Sequence, residues 1–72
     1  MPIYSVYEKL RDARQITDAA VARATGLRKN IFTDWKAGRC RPKFDKITKI
    51  AAFFGVPAGL FYMAPDNEAV NG

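Results

Sequence analysis

The chain has no histidine and a single cysteine, Cys40, among its 72 residues. Without histidine it lacks the usual general base, the usual proton shuttle and the commonest zinc ligand. One thiol makes no internal disulfide, no zinc cluster and no redox pair. No glycine-rich phosphate loop is present, and no two carboxylates are spaced for acid–base work, so the motifs of an enzyme are missing. Hydrophobic runs are short, far below the roughly 20 residues of a membrane span. The start, Met1-Pro2-Ile3-Tyr4-Ser5, lacks the basic-then-apolar pattern of a signal peptide. These absences favour a cytosolic (cytoplasmic), non-enzymatic protein with no metal, no cofactor, no membrane partner and no evident small-molecule substrate.

What remains is 49% hydrophobic residues and a net charge of +5. Seventy-two residues allow one domain, stable only with a well-packed core. The charge is unevenly placed. Between Leu27 and Lys49, eight basic residues face only Asp34 and Asp45. Before that segment four basic residues face Glu8, Asp12 and Asp18, and after it stand only Asp66 and Glu68. A basic cluster of this kind is the electrostatic footprint of nucleic-acid binding, although a solvated basic face accounts for it equally well.

The apolar spacing predicts an all-α chain of five short helices. Helix 1 is expected over about Val6 to Arg14, with Ser5 and Glu8 at capping-box spacing and Val6, Leu10 and Ala13 inward. Helix 2 starts after Thr17, an N-cap, and stops at Gly26. Helix 3 covers about Lys29 to Lys36 and stops at Gly38. After the loop around Pro42, helix 4 spans about Phe44 to Phe54 with Phe44, Ile47, Ile50, Ala51 and Phe54 as its apolar stripe, ending at Gly55. Pro57 suits the first position of a short fifth helix carrying Leu60 and Phe61. Residues 1–63 form the domain, and the polar stretch 64–72 reads as a frayed tail or linker. Two short helices joined by a tight glycine turn, the second opening with Arg28, Lys29 and Asn30, have the layout of a helix-turn-helix.

Ile16-Thr17, Val21-Ala22, Gly26-Leu27, Phe32, Trp35, Gly38, Pro42, Ile50-Ala51 and Phe54-Gly55-Val56 together resemble the phage repressor and Cro-like (XRE-type) DNA-binding family over about Val6 to Tyr62. The resemblance implies a lambda-repressor-like bundle. It also implies sequence-specific binding of double-stranded DNA by a transcriptional regulator, usually a repressor acting as a homodimer on a near-palindromic operator. On that footing Lys29, Asn30, Thr33 and Asp34 are the candidates for base contacts: lysine toward guanine, asparagine toward adenine, threonine toward a thymine methyl, aspartate toward cytosine. Ile31 is expected on the exposed side, toward a thymine methyl or a sugar. Arg28, Arg39, Arg41 and Lys43 are the candidates for phosphate contacts, whereas Lys46 and Lys49 read as a solvated face of helix 4. Phe32 and Trp35 belong to the core. Tyr4, Tyr7, Phe53, Tyr62 and Met63 exceed what so small a core needs, and Phe53, Phe61, Tyr62 and Met63 are the candidate dimer surface, the alternative being that one or two of them complete the core.

Four positions depart from the family pattern. Asp18 stands where a glutamine often clamps a phosphate, and a carboxylate there would repel the DNA backbone. Arg28 stands where a small N-capping residue is common. Lys36 replaces a frequent glutamate, which leaves Arg11 without its partner and turns Lys36 toward Asp12. Thr25 replaces a larger apolar residue, so looser packing of helix 2 is expected. The rival function is a protein-interaction module, such as an antitoxin-type component whose DNA binding is secondary. RNA binding through the basic face fits less well, because helix 3 offers no exposed aromatic to stack on a base.

Overall fold

The computed structural model describes residues 2–63, and the tail expected at 64–72 lies outside them. The described residues form α1 (Tyr4–Ala13), α2 (Asp18–Thr25), α3 (Asn30–Ala37), α4 (Phe44–Phe54) and a closing 3-10 helix (Ala58–Tyr62). The all-α architecture follows the apolar spacing. The fifth element is a 3-10 helix, with Pro57 as its N-cap in extended backbone rather than as its first residue. None of these helices is long and apolar enough to cross a membrane.

Two helix ends follow their local sequence closely. Thr17 accepts a hydrogen bond from the Ala20 N–H at 3.1 Å, which satisfies one of the free amides that open α2. Gly26 closes α2 in the left-handed region at φ 76°, and its N–H bonds the Ala22 carbonyl at 2.8 Å. A Cβ built on Gly26 would meet nothing within 4 Å, so the demand for glycine there comes from the backbone angle and not from crowding.

The start of α1 departs from its sequence signal. Ser5 lies inside the helix, Ile3 is the N-cap, and no side chain caps it, so the Ser5–Glu8 capping box does not form. Tertiary contacts set this end instead. The Ile3 N–H bonds the Phe61 carbonyl at 2.7 Å, and the Trp35 indole N–H reaches the Pro2 carbonyl at 3.4 Å. With the chain tied down at Pro2 and Ile3, the helix begins at Tyr4.

Tyr7, which the sequence leaves outside the core, is fully buried at its centre. Its ring stacks on Phe32 at 4.6 Å and on Trp35 at 5.6 Å, and meets Phe54 edge-on at 6.1 Å. Tyr4 packs edge-on against Trp35 at 5.5 Å. Each aromatic pair adds about 0.5–1.5 kcal/mol beyond simple burial. The α1 contribution to the core is therefore Val6 and Tyr7, with Leu10 half-buried and Ala13 exposed. Around them close Val21, Ala22, Ile47, Ile50, Ala51 and Phe54.

Phe44 leaves the predicted α4 stripe. It is 60% exposed at the first turn of α4, beside the Tyr62 ring at 6.2 Å. Phe61 moves the other way. It is fully buried and cannot belong to a dimer surface in the folded chain. Phe53 is half-buried beneath Arg14, whose guanidinium lies 5.7 Å from its ring and 5.1 Å from that of Phe54. The same guanidinium donates to the Phe54 carbonyl at 2.7 Å and so caps the C-terminus of α4 from α1. Tyr62 is half-buried and Met63 is 56% exposed.

Arg11 has a partner after all. It donates to Asp18 at 2.9 Å and to Asp12 at 2.9 Å, and the Tyr7 hydroxyl donates to the same Asp18 oxygen at 2.6 Å. Lys36 is exposed and makes no ion pair with Asp12 among the described residues. The Thr25 hydroxyl donates to the Val21 carbonyl at 2.8 Å, one turn back along α2.

Burial, followed by the hydrogen bond to Asp18 and its negative charge, pushes the Tyr7 phenol well above its ordinary value of 10.0. The fold therefore favours the protonated phenol. That contribution is complete below about pH 10, where an unfolded tyrosine is also neutral, and is progressively lost at higher pH as the unfolded state ionises. Urea unfolding as a function of pH should show parent stability falling above about pH 10. Tyr7→Phe should be destabilised by about 1 kcal/mol at neutral pH but should lose less on the alkaline side. Parallel alkaline limbs would contradict this.

Candidate nucleic-acid interface

The turn 26–29 joins α2 to α3, and the axis of α3 is fixed from behind. Phe32 and Trp35 are buried on its inner side, against Tyr7 and Tyr4. Helical spacing then places Asn30, Thr33, Lys36 and Ala37 outward, and all four are exposed. Lys29 occupies the N-cap position in helical backbone, with no side-chain cap, and its ammonium is left for solvent or a ligand. The N-cap therefore falls on Lys29 and not on Arg28, one residue later than the family pattern implies, and Arg28 is also exposed.

Not every expected base reader is equally available. The Asp34 carboxylate accepts from Arg39 at 3.0 and 3.2 Å, which couples a candidate base contact to a candidate phosphate contact. The Asp34 backbone carbonyl also accepts from the Arg39 N–H at 2.8 Å as α3 ends at Gly38, φ 80°. The ion pair is open to water, the Arg39 side chain being 66% exposed, and is worth at most about 1 kcal/mol. A duplex can displace it. Ile31 is half-buried and packs on the core, so it is less exposed than its phase in the sequence implies. Arg41 and Lys43 are exposed on either side of Pro42, which is buried. Burying that ring holds the loop down while its two cations point outward.

One feature of this surface escapes the sequence. Between the start of α3 and α4 lies a cleft of ≈ 270 Å³. Leu27, Ile31 and Cys40 supply apolar lining, Arg28, Asn30 and Lys46 supply polar groups, and Asp34 completes it. Lys46 is half-buried there, whereas Lys49, three residues on, is exposed. The helical repeat of α4 treats the two lysines alike, and only the approach of the turn before α3 separates them.

Electrostatically the two ends of the helix-turn-helix differ. At the N-terminus of α2, Asp18 is neutralised by Arg11 and Tyr7, and Glu8 and Asp12 lie around the same guanidinium. That guanidinium is held firmly protonated, chiefly by its hydrogen bond to Asp18. At the start of α3 and along the loop to α4, Arg28, Lys29, Lys36, Arg41 and Lys43 make no ion pair among the described residues. The free positive potential is therefore on the α3–α4 side.

Residues 8–59 match the Cro/C1-type HTH DNA-binding domain, a stretch that contains both helices of the motif and all of α4. The transcriptional repressor RstR of the cryptic phage CTXphi of Vibrio cholerae is 35% identical over 48 residues. That alignment covers 67% of this chain and 43% of the repressor, so the chain spans less than half the length of the relative it matches. No solved structure matches the chain at comparable stringency. With the helix-turn-helix geometry, the outward polar edge of α3 and this match in hand, the chain belongs to the Cro/C1-type helix-turn-helix DNA-binding family.

Proposed function

We propose that this domain recognises one DNA sequence in duplex form and represses transcription from it, acting as a dimer with α3 in the major groove. The observation that carries this reading is the two-sided character of α3. Its inner aromatics are locked against α1, and along its outer edge the side chains of Lys29, Asn30 and Thr33 are exposed and make no ion pair among the described residues. A helix held rigidly from behind presents hydrogen-bonding groups to base edges in a fixed register. Lys29 donates to guanine O6 and N7, Asn30 pairs with adenine N6 and N7, and Thr33 meets a thymine methyl. Asp34 accepts from a cytosine amine once Arg39 swings to a phosphate.

Arg28, Arg39, Arg41 and Lys43 set register and affinity through the backbone. The Vibrio phage relative is named a transcriptional repressor, which supports repression as the outcome. The second copy is assigned to the apolar surface exposed among the described residues: Met63, Phe44 and, beside Phe44, the half-buried Tyr62. Phe53 contributes only the ring edge that Arg14 leaves open.

Selection of bound sequences from random duplex DNA tests this directly. Enrichment of a two-fold symmetric pair of half-sites about one helical turn apart, roughly 34–36 Å, is the expected outcome. Absence of any enriched sequence would favour the interaction-module reading instead. On the selected duplex, Lys29→Ala and Asn30→Ala should each weaken binding by about 1–3 kcal/mol and relax base preference at one position per half-site. Arg41→Ala should weaken all duplexes alike and lower the slope of log K against log salt by about one. Titrations across a salt series with specific and scrambled duplexes separate the two behaviours.

A further inference from the structure

We propose that the cleft between the start of α3 and α4 seats a single sugar–phosphate unit of the DNA backbone, gripped by Arg28 from the turn and Lys46 from α4. The inference rests on the DNA-binding reading above and assigns a role to Lys46, which the sequence leaves on a solvated face. The volume of ≈ 270 Å³ exceeds the ~30 Å³ share of one water by enough to admit a phosphodiester with its sugar. The lining has the matching chemistry. Leu27 and Ile31 offer an apolar wall to the sugar, and Arg28 and Lys46 offer two cations to the phosphate.

The one carboxylate in the cleft, Asp34, pairs with Arg39 at 3.0 Å in the free protein, and Arg28 and Lys46 outnumber it when Arg39 moves to a phosphate. Lys46 is half-buried and has no ion-pair partner among the described residues. A lysine held by its stem and left unpaired gains a charge-assisted contact when an anion arrives. Asn30, which lines the same cleft, also stands at the first position of α3. A phosphate seated there lies beside Asn30, so the grip bears on the depth at which Asn30 meets its base.

The test uses the full chain on its selected duplex, with Lys46→Gln, Lys46→Arg, Lys49→Gln and Asn30→Ala compared across a salt series. Lys46→Gln should lower the salt slope by about one while leaving base preference unchanged. Lys46→Arg should restore the slope, and Lys49→Gln should leave it at the parent value. Neutral methylphosphonate linkages placed one at a time along the duplex should reveal a backbone position that matters to the parent and is indifferent to Lys46→Gln. A parental slope in Lys46→Gln, or an equal fall in Lys49→Gln, would overturn the proposal, the second because it marks a diffuse field. The two readings fail separately. If Asn30→Ala relaxes base preference while Lys46→Gln changes nothing, groove recognition stands and the cleft assignment falls. If the parent selects no duplex, both fall.

Discussion

The structure turns on Tyr7. Its ring stacks on Phe32 and Trp35 of α3 and meets Phe54 of α4, and its hydroxyl reaches Asp18 at the start of α2. One side chain thus sets the position of three helices relative to α1. The arrangement works because a tyrosine is apolar over most of its surface and polar at one tip. The ring excludes water from the core, and the tip must find an acceptor there or leave a buried hydroxyl unsatisfied. Asp18 is that acceptor, and Arg11 in turn neutralises Asp18. The orientation of α3 is thereby linked to the three-residue network of Tyr7, Asp18 and Arg11.

That network also changes how the acidic residues are to be read. In isolation Asp18 is a negative charge where a phosphate would approach. Held by Arg11 and Tyr7 it becomes a structural acceptor, and the α2 end of the motif contributes little positive potential of its own. Asp34 is paired too, by Arg39 at an exposed site. The difference between the two pairs is solvent. The Arg11 side chain is 18% exposed and pairs with Asp18 at the edge of the core, whereas the Arg39–Asp34 pair is open to water and to salt. Unpaired positive charge among the described residues therefore concentrates on α3, the Pro42 loop and the first turns of α4.

The closing segment shows a division of labour among neighbours. Phe61 enters the core, its carbonyl holds the Ile3 amide, and Tyr62 and Met63 immediately after it lie toward the surface with Phe44 nearby. Successive residues of a 3-10 helix point about a third of a turn apart. One buried aromatic and one exposed apolar patch can therefore come from three consecutive residues, and composition alone does not say which of the three goes inward.

The amino-acid order by itself determined the helical class, the bounds of α2 and α4, and the glycine stops at Gly26, Gly38 and Gly55. Those depend on caps, glycine backbone freedom and apolar repeats that act within a few residues. It also determined that the cations crowd into the segment from Leu27 to Lys49. Tertiary structure alone decided the start of α1, where contacts from Phe61 and Trp35 outweighed a capping box. It decided the burial of Tyr7 and Phe61, the exposure of Phe44, the pairing of Arg11 with Asp18, and the separation of Lys46 from Lys49. Each of these depends on which residue distant in the chain comes to lie opposite, and a local pattern carries no record of that.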